Sequence, residues 1–104
     1  MALAINRDIV ETESETFKLN TSIELNRQQR EIEKIESFIA SDQEIIQLRK
    51  EVLESADSQL KNGVITASAY ITELTHLYED ENTLIRHKIQ LELAKANYNI
   101  IKGQ

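Results

Sequence analysis

The sequence predicts an all-α protein, a long antiparallel coiled-coil helical hairpin with unequal arms. Three observations carry this: apolar residues recur every seven positions on both sides of one interruption, the interruption contains a glycine, and none of the 104 residues is proline. A seven-residue repeat keeps one stripe of a helix turned toward a partner while the two wind left-handedly around each other. The composition agrees, being rich in Glu, Leu, Ile, Lys and Gln, with 5% aromatic and 29% charged residues.

The interruption is Leu60-Lys61-Asn62-Gly63-Val64-Ile65-Thr66. Glycine takes positive φ without a Cβ penalty, so Asn62-Gly63 reads as a helix C-cap. Thr66 suits an N-cap, with Ile65 before it and Tyr70 at the fourth helical position, where two apolar side chains clamp a helix start. A connection this short leaves the two helices antiparallel, with residues 62–66 as the tip.

The first arm is predicted over about 5–61. Leu25, Ile32, Ile39, Ile46, Leu53 and Leu60 step by seven, and Ile35 and Ala56 fall three positions after members of that row. Phe38, Ile45 and Val52 run one residue earlier and widen the stripe. Upstream, Leu3, Val10 and Phe17 also step by seven, but Phe17 to Leu25 is eight, so the phase slips near Asn20 to Glu24. A change of supercoil or of partner is expected there. Ser41-Asp42-Gln43-Glu44 matches a capping box and is a rival helix start. The sevenfold row passes through it without losing phase, which favours one continuous helix about 85 Å long at about 1.5 Å per residue.

The second arm is predicted over about 67–101 and reaches only about 50–55 Å. Tyr70, Leu77, Leu84, Leu91 and Tyr98 step by seven, flanked by Ile71, Leu74, Tyr78 and Ile85. Ile89, Leu93, Ala96 and Ile100 broaden its apolar face toward the C-terminus. About twenty residues of the long arm therefore extend past the short one, leaving Leu3, Val10 and Phe17 without a partner in the hairpin. Glu73, Glu79, Asp80 and Glu81 follow the tip, whereas Arg86, Lys88, Lys95 and Lys102 occupy the far half. This is the order that the helix macrodipole prefers.

Two helices bury a seam and not a closed core, so something else is expected to cover the rest. The early helical pattern after Met1-Ala2 reads as a segment cut from a longer protein. A formal charge of -6 opposes nucleic-acid binding, which needs a basic stripe. No stretch approaches the roughly 18–20 apolar residues that span a bilayer, so this segment is not expected to contact a membrane itself.

Chemistry is sparse. The chain has no cysteine and two histidines, His76 and His87, which would lie about 16 Å apart on one helix, too far to share a metal. His76 is placed to bond Asp80 or Glu73 on the helix surface. No glycine-rich phosphate loop, nucleophile with a base, or paired carboxylate site is evident, so neither a cofactor nor an enzyme is expected.

Asn62-Gly63-Val64-Ile65-Thr66 resembles the helix-tip motif of the TolC-like outer-membrane efflux proteins: Gly, then an aliphatic residue, then two positions on a small hydroxylated residue or Ala. Tyr70-Ile71-Thr72-Glu73-Leu74 and Leu93-Ala94-Lys95-Ala96-Asn97-Tyr98, ahead of Gly103, look like the returning helix of that family's second hairpin. The resemblance covers about residues 56–103. It implies one stave of a periplasmic α-helical tunnel built by three protomers. The duct would be passive, carrying small molecules or secreted protein under an inner-membrane pump. It also implies that Asn62, Gly63, Val64, Ile65 and Thr66 dock on the hairpin tips of a periplasmic adaptor, a membrane fusion protein. Members of the family often carry an acid where Ala69 stands, and sometimes another at Thr72. Glu73 lies elsewhere on the helix, so a charged entrance ring does not carry over. The alternative reading is a coiled-coil oligomerisation or interaction module of an adaptor or scaffold protein. On its own the hairpin is expected to self-associate, most simply as an antiparallel dimer.

Overall fold

The structure, a computed structural model, describes residues 2–103, with side chains described from residue 12 onward. It is a hairpin of α1 (Ala2–Lys61) and α2 (Ala67–Lys102), packed antiparallel in a rod of 91 × 16 × 15 Å. The helices extend the predicted spans by three residues at the start of α1 and one at the end of α2. No described helix is long and apolar enough to cross a membrane.

The turn is built as its residues demand. Gly63 has φ 72°, the only positive φ among the described residues, and its N–H donates to the Leu60 carbonyl at 3.1 Å. The Val64 N–H donates to the Gln59 carbonyl at 2.8 Å, so two carbonyls left open by the end of α1 are satisfied by the reversing chain. Thr66 then caps α2: its backbone is extended, and its Oγ1 accepts from the Ala69 N–H at 3.1 Å.

α1 runs unbroken through Ser41-Asp42-Gln43-Glu44. The Asp42 carboxylate is occupied by His87 of α2, so it supports the packing between helices and starts no new helix.

The seam holds the core. Ile35, Ile46, Ala56, Leu77 and Ala94 are 4–7% exposed, and the remaining predicted seam residues, Leu25, Ile32, Ile39, Leu53, Leu60, Tyr70, Leu84, Leu91 and Tyr98, are half-buried. No large described side chain is fully enclosed, as expected when only two helices share a contact line. Phe38, Ile45 and Val52, which the spacing placed in a widened stripe, are 42–45% exposed at the seam's edge.

The 60 residues of α1 exceed the 36 of α2 by 24, so α1 continues alone beyond the end of its partner. Phe17, Leu19 and Ile23 are exposed on that overhang, while Leu3 and Val10 lie outside the residues whose side chains are described. The slip in the sevenfold phase near Asn20 to Glu24 coincides with the point where α2 ends. Upstream of it no helix in the hairpin requires the repeat to stay in step.

Candidate interaction surfaces

Three features of the rod face outward or shape its contacts. The tip is the first. Asn62, Gly63, Val64 and Thr66 are exposed and Ile65 is half-buried, with Val64, an aliphatic residue, 69% exposed at the apex. A Cβ built at Gly63 meets no atom within 4 Å, so the backbone alone demands glycine and the space around it is open.

The second feature lies inside the seam. Arg49 Nε donates to Asp80 Oδ2 at 2.9 Å, and its Nη1 lies 3.5 Å from His76 Nδ1. Seven residues along α1, Asp42 pairs with His87, both side chains less than one-fifth exposed. The Phe38 ring stacks obliquely on His87, centroids 5.4 Å apart, with Lys34 Nζ 5.8 Å above Phe38. His76 was expected to bond Asp80 or Glu73 along its own helix. Instead both His76 and Asp80 are drawn to Arg49, because a guanidinium reaching across the seam offers several donors to two acceptors at once. The spacing held the signal: Asp42 and Arg49 fall three positions after Ile39 and Ile46, where Ile35 and Ala56 follow Ile32 and Leu53. A polar residue at an inward position calls for a partner.

The third feature is a pair of apolar lanes. On α1, Phe38, Ile45, Leu48 and Val52 are exposed beside the seam. On α2 the lane is longer: Ile71, Tyr78, Ile85, Ile89, Leu93 and Ile100 are each 55–61% exposed. The tip-side part of the α2 lane lies on the flank opposite the α1 lane, whereas Leu93 and Ile100, which stand just before the inward Ala94 and Ile101, carry it across the back of α2 farther from the tip. Val52 and Ala69 line one groove, so residues just before seam positions on either helix share a flank. Ile71, Tyr78 and Ile85 come just after seam positions, and a helix turns about 100° per residue, which carries them to the other side.

Comparison with protein-family models, with curated proteins and with solved structures gives no match. The groove near the tip, about 410 Å³, is floored by Val52, Ala56, Ile65 and Ala69 and rimmed by Glu51 and Glu73. It exists because Ala56 and Ala69 are small where the helices approach. Among the described residues, no three His, Cys, Asp or Glu side chains gather as metal ligands. The exposed ion pairs are local: Arg27 and then Gln28 hold the Glu24 carboxyl below its ordinary range, and Asp57 raises the Lys61 ammonium.

Proposed function

We propose that this hairpin is a stave in the wall of a periplasmic α-helical tunnel, part of a TolC-like outer-membrane efflux channel, with its tip docking end-on to a periplasmic adaptor. The observation that carries the reading is apolar surface on both flanks of the rod, Phe38, Ile45 and Val52 on one and Ile71, Tyr78 and Ile85 on the other. A rod covered on one flank needs one sticky side, whereas a stave has a neighbour on each side and needs two. The unequal arms support it, since the overhang of α1 leaves Phe17, Leu19 and Ile23 uncovered by the hairpin itself. The tip supports it through an open glycine turn with Val64 presented to solvent. In this reading Asn62, Gly63, Val64, Ile65 and Thr66 form the contact, the wall is a trimer of whole channel protomers, and transport is passive conduction through the enclosed duct.

The test is in the cell. With Val64→Cys placed in the protein that carries this segment, cysteine crosslinking should yield an adduct with a periplasmic protein having its own helical hairpin. Fractionation should place the parent polypeptide in the outer membrane. Recovery of the parent in the cytoplasm, or adducts with cytoplasmic scaffolding proteins, would replace this reading with the interaction-module alternative.

A further inference from the structure

The lane on α2 has properties that point to one occupant. It runs the length of the helix, from Ile71 to Ile100, about 44 Å at about 1.5 Å per residue. Its spacing is close to symmetric about Ile85: Tyr78 and Leu93 lie seven residues before and eight after, and Ile71 and Ile100 fourteen before and fifteen after. Charge beside it reverses at the same point. Glu79 and Glu81 stand on the tip side, and Arg86, Lys88, Lys95 and Lys102 on the other, broken only by Glu92, which lies 4.0 Å from Lys95; Glu73 rims the groove on the opposite flank and does not count. Asp80 does not count toward this surface, because Arg49 holds it in the seam.

We infer that a second copy of this chain packs on the α2 lane, antiparallel, about a two-fold axis beside Ile85. That rotation lays Ile71 on the partner's Ile100 and Tyr78 on the partner's Leu93, so a 44 Å stripe is covered by one of about equal length. It also brings the acidic half of each lane against the basic half of the other, with Glu81 near the partner's Lys88. A parallel pairing would set acid on acid and base on base. The shorter lane of α1, from Phe38 to Val52, matches α2 in neither length nor charge order, so it is the poorer occupant. This association goes beyond the tunnel reading. In a wall whose tips all point one way the same lane meets a neighbouring stave, so the antiparallel pair is the state of the hairpin outside such a wall.

The chain lacks cysteine, which makes the geometry directly readable. Light scattering on the 104-residue chain at tens of micromolar should give twice 12.0 kDa. Ile85→Cys should oxidise to a disulfide dimer alone. Ile71→Cys and Ile100→Cys should each fail alone and form a mixed disulfide together. Glu81→Lys and Lys88→Glu should each weaken self-association at least tenfold, and an equimolar mixture of the two should restore a dimer. These positions lie outside the buried core, so circular dichroism of each variant should match the parent. A fully helical monomer would overturn the inference, as would Ile71→Cys and Ile100→Cys each crosslinking to themselves, which reports a parallel pair.

Discussion

Asp42 and His87, 45 residues apart in the chain, meet across the seam, and seven residues along each helix Arg49 meets Asp80 with the carboxylate on the other helix. An apolar heptad seam is nearly indifferent to slipping by one repeat, because every isoleucine or leucine finds another. The exchanged carboxylates remove that indifference. A slip in one direction sets Asp42 against Asp80. A slip in the other sets Arg49 against His87 and leaves Asp42 facing Ala94. The two polar layers thus hold the register well up the rod from a turn that fixes it only at the tip.

Removing one member of a layer should destabilise the hairpin. Asp42→Ala strands a half-buried imidazole and should cost about 1–3 kcal/mol. Arg49→Met leaves Asp80 and His76 without their shared donor and should cost a similar amount. In a double-mutant cycle, Arg49→Met with Asp80→Leu should show a coupling of about 0.5–3 kcal/mol. Additive losses would mean that the pair contributes nothing to the seam.

The tip glycine is required by its backbone angle and by no neighbouring atom. Gly63→Val should lower stability by about 1–3 kcal/mol while leaving most helicity in the circular dichroism spectrum. Gly63→Asn should lose less, since asparagine tolerates the left-handed region. Equal losses from Asn and Val would show that the turn is held by something other than the Gly63 φ.

Thr66→Ala removes the hydroxyl that accepts from the Ala69 N–H and should cost about 1 kcal/mol, with Thr66→Ser close to neutral. Hydrogen exchange at Ala69 reports the effect locally. Protection there unchanged in the alanine variant would contradict the cap.

Leu77 is among the most buried side chains of the seam. Leu77→Ala should cost about 2–5 kcal/mol by thermal or urea unfolding, and Ile85→Ala, on the exposed lane, far less under conditions where the chain is dilute. Comparable losses at the two positions would place the lane inside a core at all concentrations.

Glu24 should titrate below the ordinary glutamate range, because Arg27 donates to its carboxylate at 2.5 Å and Gln28 at 3.1 Å. The sign follows: the interaction is present at neutral pH and fades as pH falls through the depressed value. Both ion-pair partners are in contact with solvent, so the effect belongs in an NMR titration and not in the unfolding curve. Arg27→Ala should move the Glu24 midpoint upward.

The helices, the turn and the inequality of the arms were legible in the chain, since each depends on local chemistry: a heptad row, a glycine at positive φ, a threonine cap, and a count of residues on either side. The continuity of α1 through Ser41-Asp42-Gln43-Glu44 was legible from phase, although the reason Asp42 does not cap was not. Which polar groups meet was beyond sequence reasoning. His76 has plausible partners at Asp80 and Glu73 on its own helix, and only the approach of Arg49 from α1 draws it to a third. The same holds for the apolar lanes. Periodicity marked Phe38, Ile45 and Val52 and Ile71, Tyr78 and Ile85 as apolar, but whether they are hidden, and on which flank, depends on how each helix is rotated against the other. Local propensity and spacing determine that there are two rods folded back at Gly63. The rotation and register of those rods, and so the surfaces they leave for partners, are set by long-range contacts, because a residue's side of the seam is defined only once the opposite helix is in place.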